Sequence, residues 1–329
     1  MSIKHKKIVV TGGAGFIGRE LVYQLCQLYK NVIVIDNLIN GKEENIKDID
    51  GVDFIKEDIR NIKNIKKIIK DSDILFHLAC LGVRHSIHSP KENYDVNSTG
   101  TLDLLISAKE VGVKKFVYVS SSEVYGKSFY SPINEEHPTY PMTIYGSSKL
   151  SAECCVRAFC NTYRYPTVVI RPFNTYGPYS HHEGDCGEVI PKFFIRSLNG
   201  KQMTIFGDGE QTRDFVYVSD TARGILLSGL CDACVGETIN IGTGEAVTVK
   251  YIAGCIAELT GNKKNIFYAE SRPGDTLKLQ ADITRAKKLL SFEPQIDLIT
   301  GLNDLKKWYL SFSDTLSFLK EDSVYNWKD

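Results

Sequence analysis

The chain has 329 residues, enough to bury a large core as one α/β unit or as two closely joined domains. Its 40 Lys and Arg balance 40 Asp and Glu, so overall charge favours neither nucleic acid nor a membrane surface as partner, and any phosphate binding must be local. No apolar run reaches a membrane span and no signal-like segment opens the chain, so a cytoplasmic protein is expected.

Residues 7–11 (K-I-V-V-T) form a short β-branched run of the kind found in a buried parallel strand. It runs into G-G-A-G-F-I-G and an amphipathic stretch, 16–29, with Ile17, Leu21, Leu25 and Leu28 at helical spacing. A second β-branched run, 32–35, ends in Asp36. This strand, glycine turn, helix, strand and acid make a dinucleotide-binding unit. Gly12 permits the tight turn, Gly15 lets backbone N–H groups approach a pyrophosphate, and Gly18 lets helix and sheet pack closely. The helix N-terminus favours the phosphates, and Asp36 accepts from a ribose 2′-hydroxyl, which selects NAD over NADP.

Apolar runs then alternate with helical stretches: strands at 53–55, 74–79 and 116–120, and helices at 62–69 and 96–111. Such alternation marks a doubly wound parallel sheet, whose ligands bind at the carboxyl ends of the strands. Asp58, residues 77–80 and residues 120–123 fall there.

Tyr145 and Lys149 are four apart and share one face of a predicted helix. An ammonium beside a phenol, which titrates near ~10 in water, favours the phenolate and suits it to general-base work. Ser121, at the end of an apolar run, can share the same substrate proton.

A further strand, 167–170, leads into R-P-F-N-T-Y-G-P, where Gly and Pro begin to punctuate the chain; a domain transition is placed near Arg171. A helix is expected at 189–198, and helical patterns at 283–290 and 302–309, with residues beyond 313 left as a tail. Arg213 and Arg272 sit in loops beside aromatic residues, a setting suited to a diphosphate and a stacked base. No metal is expected. The Cys231/Cys234 pair lacks a matching second pair, and His181, His182, Glu183, Asp185 and Cys186 lie in a Gly-rich loop read as a lid. Most of the nine cysteines are read as reduced core residues.

In order, T-G-G-A-G-F-I-G, D-N-L, F-H-L-A, S-S-S-E-V-Y-G, Y-G-S-S-K, R-P-F-N-T-Y-G-P and Q-T-R-D-F-V-Y-V resemble an extended short-chain dehydrogenase/reductase. Within that group the match is to nucleotide-sugar epimerases and dehydratases, over about residues 7–309. The resemblance implies an α/β fold with a doubly wound parallel (Rossmann) sheet over 1–171, to which later segments return. A smaller α+β substrate-binding domain would span 172–312 and a tail 313–329.

It also implies roles. Tyr145 would be the base, Lys149 would bind the nicotinamide ribose and tune Tyr145, and Ser121 would bond the sugar oxygen. Gly12, Gly15, Phe16, Ile17, Gly18, Asp36 and Asn37 would hold NAD. Asp58, Ile59, Leu78, Ala79, Asn97 and Pro172 would complete that site. Ser122, Asn174, Val189, Arg213, Arg272 and Asp275 would contact the nucleotide sugar. A homodimer is a further implication.

The implied chemistry passes through a 4-keto sugar. Glu123 stands where simple 4-epimerases carry a small or hydroxylic residue, which leaves open a 4,6-dehydratase or a uronic acid decarboxylase using this carboxylate at C5, or a purely structural carboxylate. The dehydratases usually pair that Glu with an Asp, and Ser122 takes its place, so a 4-epimerase leads. From other classes come a non-catalytic NAD-binding module and a free-cofactor reductase.

Overall fold

A computed structural model of the chain describes residues 6–182, 187–262, 265–271 and 278–322. The first run of β-branched residues becomes β1 (Ile8–Thr11), buried at every position because both faces of the sheet are covered. Ile8 and Val10 point into one core and Val9 into the other, the two-residue alternation of a strand.

The strands β2 (Val32–Asp36), β3 (Val52–Lys56), β4 (Ile74–His77), β5 (Phe116–Val119) and β6 (Thr167–Pro172) follow. Between and after them come α1 (Phe16–Cys26), α2 (Ile62–Ile69), α3 (His85–His88), α4 (Pro90–Tyr94), α5 (Gly100–Glu110) and α6 (Ile144–Tyr163). Beyond β6 lie β7 (Asn174–Tyr176), α7 (Val189–Leu198), β8 (Met203–Phe206), β9 (Thr212–Arg213), β10 (Phe215–Tyr217) and α8 (Val218–Leu230). The described chain closes with β11 (Thr238–Ile241), β12 (Val247–Thr248), α9 (Val249–Thr260), β13 (Ile266–Ala269), β14 (Lys278–Leu279), α10 (Thr284–Leu290) and α11 (Leu298–Leu310).

One seven-stranded parallel sheet has the order β11-β6-β5-β4-β1-β2-β3. Helices α1, α8 and α10 cover one face through Leu21, Leu25, Ile225 and Leu290. Helices α2, α5 and α6 cover the other through Ile65, Leu104, Leu105 and Val156. This is the doubly wound Rossmann arrangement, with β11 returning from the second half of the chain to pair with β6.

A second core joins Phe193 and Phe194 of α7, Ile205 of β8, Tyr217 of β10, Ile252 and Ile256 of α9, and Leu305 and Tyr309 of α11. Small sheets bind it: β7 with β10, β8 with β13, and β12-β9-β14. The segment after Ser313 packs against this core through Phe318 and Leu319.

The expected helix 96–111 has a different start. Residues Asp95–Thr99 form a widened π-type turn before α5, in which the Asn97 carboxamide brackets Leu81, accepting from its N–H at 2.8 Å and donating to its carbonyl at 2.9 Å.

Candidate active site

A cleft of about 560 Å3 opens at the carboxyl ends of β1, β2, β4, β5 and β6 and continues to α7, β8 and β9. The glycine turn forms its floor. Gly12 has φ +74°, and a Cβ there would stand 2.5 Å from the Ala79 nitrogen; one on Gly18 would stand 2.0 Å from the Gly12 carbonyl oxygen. A Cβ on Gly15 would meet nothing nearer than 3.4 Å, so this glycine leaves room in the cleft rather than relieving a clash. α1 starts there with no side-chain cap and no acidic residue in its first turn, which leaves its N–H groups for an anion.

Asp36 ends β2 at the cleft wall. Its carboxylate accepts from the Ala14 N–H at 3.0 Å and the Leu38 N–H at 2.9 Å; burial raises its pKa, against those two bonds. Phe16, Ile17, Asn37, Ile59, Leu78 and Ala79 line the same wall. The open space at Gly15, the uncapped helix and the acid at the end of β2 fit a dinucleotide. Asp58 and Asn97 stand behind that wall. Asp58 takes Arg60 at 2.7 and 2.9 Å and holds the Asn37 side chain at 2.9 Å, and Arg60 pulls its pKa well below the usual carboxylate range. Asn97 fixes Leu81 as described.

Across the cleft, Ser121 Oγ accepts from the Glu123 N–H at 3.2 Å and so caps the single turn Ser122–Val124. Thr143 caps α6 in the same way, accepting from the Gly146 N–H at 3.0 Å, and the first turn of α6 puts Tyr145 in the cleft lining together with Ser121. Ser122, Glu123 and Lys149 line the cleft beside them.

Tyr145 departs from expectation. Its pKa lies well above that of a free phenol because of burial, with the charges of Cys80, Glu123 and Glu188 acting in the same direction and the Ser121 hydrogen bond against it. The Lys149 ammonium is turned to the Val119 carbonyl at 2.7 Å and lies 4.8 Å above the Tyr118 ring. Burial lowers the pKa of Lys149 in turn, opposed by Cys80 and Glu153. In the protein alone burial sets the direction for Tyr145, and the Lys149 ammonium is engaged with the Val119 carbonyl and the Tyr118 ring.

Pro172, Asn174, Val189 and Arg213 line the substrate half of the cleft. Among the described residues the buried Asn174 Oδ1 has no hydrogen-bond partner, as suits an acceptor waiting for a ligand donor. Arg213 donates to the Thr212 carbonyl at 2.9 Å. Arg272 and Asp275 lie outside the described residues, as do Glu183, Asp185 and Cys186. Among the described residues no group of three His, Cys, Asp or Glu side chains could hold a metal ion. Cys231 and Cys234 are free thiols, and the Cys234 thiol donates to the Cys231 carbonyl at 3.0 Å.

Cys80, within the stretch 77–80 expected at the ligand end of the sheet, lines the cleft, whereas Arg84, Glu188, Lys192 and Arg196 escaped the sequence reading. Glu188, Lys192 and Arg196 recur every four residues into α7, so helical spacing from Val189 could have pointed to these three. Burial pushes the Glu188 carboxyl up to about 7, while His181 and Arg84 hold it back. The loop read as a lid is closed at its base, where the Glu188 N–H donates to the His181 carbonyl at 2.9 Å.

Residues 8–242 match the NAD dependent epimerase/dehydratase family. A UDP-glucose 4-epimerase of Mycolicibacterium smegmatis is 33% identical over 303 residues, 90% of this chain and 96% of its own. A UDP-N-acetylglucosamine 4-epimerase from Methanobrevibacter ruminantium M1, solved with UDP-N-acetylmuramic acid, superposes with a TM-score of 0.89 at 36% identity, covering 94% of this chain and 99% of its own. The UDP-glucose 4-epimerase of Thermotoga maritima, solved with UDP-glucose, gives 0.88 at 35% identity, covering 93% and 99%. With its Rossmann sheet, glycine turn and Ser121–Tyr145 pair in one cleft, the chain belongs to the NAD dependent epimerase/dehydratase family.

Proposed function

We propose that the protein is an NAD-dependent nucleotide-sugar 4-epimerase that acts on a UDP-hexose through a 4-keto sugar. The observation that carries this reading is that Tyr145 and Ser121 line one cleft, which the glycine turn enters from one side and Asn174 and Arg213 from the other. Tyr145 takes the proton of the sugar 4-hydroxyl while Ser121 holds the same oxygen. Arg213 and the Asn174 N–H2 group bind the nucleotide diphosphate, which leaves Asn174 Oδ1 for a ligand hydroxyl, and Val189 lines the cleft beside them. The glycine turn, Asp36 and Lys149 would hold NAD, which would supply the hydride acceptor.

A second reading has its own support. Glu123 lines the cleft and its charge acts on Tyr145, so it stands near enough to serve at C5 as in a 4,6-dehydratase or a decarboxylase. Ser122, in place of an acid, argues for the epimerase. Incubation with UDP, dTDP, GDP and CDP sugars, read by NMR and mass, separates the two. An epimer of unchanged mass with no solvent deuterium at C5 supports the first, and loss of water or carbon dioxide the second. Conversion of no sugar would leave a non-catalytic NAD-binding module. Tyr145→Phe should lower turnover by about a thousandfold while NAD still binds; retained activity would remove Tyr145 as base.

The protein is proposed to work in the cytoplasm, in carbohydrate biosynthesis, as a homodimer. Its described cysteines are all free thiols, and no helix among the described residues is long and apolar enough to cross a membrane. Ile106 of α5 and Tyr163 of α6 are exposed on the helices through which such a pair would meet.

A further inference from the structure

Lys192 and Arg196 stand one turn apart on α7 and line the cleft with Phe206 and Arg213. An anion from the end of the described chain meets them. The Asp322 carboxylate lies 3.9 Å from the Lys192 ammonium and is ion-paired with Arg196, with 3% of its side chain exposed.

The segment that delivers it is fastened along its length. Asp314 Oδ1 accepts from the N–H groups of Leu316 at 3.0 Å and Ser317 at 3.2 Å. Asn199, just past α7, donates to the Thr315 carbonyl at 3.1 Å. The Phe318 ring sits edge-on to His182 at 4.7 Å and to Tyr309 at 5.8 Å.

Apolar packing explains Phe318 but not a buried carboxylate four residues later. Taking that charge from water is costly, and among the described residues Lys192 and Arg196 are the cations that offset it. A nucleoside diphosphate in this cleft carries the same sign and seeks the same partners. We propose that Asp322 is a built-in competitor: segment 314–322 is a strap whose carboxylate occupies Lys192 and Arg196 until the diphosphate of the ligand displaces it. The proposal rests on reading the cleft as a nucleotide-sugar site.

The test measures UDP and uridine binding to the NAD-loaded full-length protein by calorimetry at low and high salt. Asp322→Asn should tighten UDP binding roughly three- to tenfold relative to uridine, with the gain shrinking at high salt. A wild-type measurement needs no variant: amide exchange over 314–322 should quicken when UDP is added and not when uridine is. Unchanged or weaker UDP binding by the variant, or exchange that stays the same or slows, overturns the competitor and leaves Asp322 as a group that holds the two cations in place. Failure of every form to bind UDP while NAD binds overturns the nucleotide-sugar reading, and the strap with it.

Discussion

Tyr145 and Glu188 show how one cleft moves two acids in the same direction for the same reason. Burial disfavours both the phenolate and the carboxylate, and the charge of Glu188 adds to the cost of ionising Tyr145. A carboxyl whose folded pKa stands above its ordinary 4.5 contributes stability that is full below that pH and is lost as pH rises through about 7. Glu188→Gln should therefore match the wild type near the lower value and be more stable above the higher one. The gain should stay under ~1 kcal/mol because Glu188 as a residue is solvent-exposed, so water screens a carboxyl that the surrounding cleft atoms crowd; urea denaturation at the two pH values measures it. The same variant should move the acid limb of the kcat profile to lower pH, since Tyr145 then ionises beside one charge fewer. Residue spacing showed that Tyr145 and Lys149 share a helix face, but not that Lys149 turns to the Val119 carbonyl, because that choice is made by the strand beneath it.

Among the elements, α6 is held by a buried ion pair. Arg171 of β6 donates to both Glu153 oxygens, at 2.9 and 2.6 Å, and its third nitrogen reaches the Tyr125 hydroxyl at 2.9 Å, which in turn donates to Asn240 of β11 at 2.7 Å. Burial alone would raise the Glu153 pKa; the Arg171 hydrogen bonds and charge outweigh it and hold the carboxyl below its usual range. Glu153→Ala should destabilise the fold by about 3–5 kcal/mol by leaving a buried guanidinium unpaired, and Glu153→Gln by less, both read by urea denaturation. Helices with a clean apolar stripe were legible to the residue, as α2 and α7 show. The start of α5 was not, because its widened turn answers to Leu81, distant in sequence. Nor were β9, β12 and β14, two residues each, which pairing creates rather than propensity.

At the scale of the whole molecule, β1, β2, β4, β5 and β6 were readable because parallel strands buried on both faces are written as nearly unbroken apolar runs, while the edge strand β3 carries only a short one. The cleft was readable only in part. Arg84 and Glu188 reach it by tertiary packing, whereas Gly12, Asp36 and Tyr145 belong to patterns visible along the chain. The place of β11 has a consequence for a chain being made from its N-terminus. By the time Pro172 has left the ribosome every strand of the sheet but one is present, yet the outer edge of β6 stays bare until Thr238–Ile241 emerges. A bare parallel edge is a template for other chains. A chain ended at residue 237 should scatter light through aggregation where the full-length protein does not, and a monodisperse fragment would show that the edge is shielded some other way. Nascent copies on neighbouring ribosomes would share that hazard for as long as the stretch from Phe173 to β11 takes to be translated.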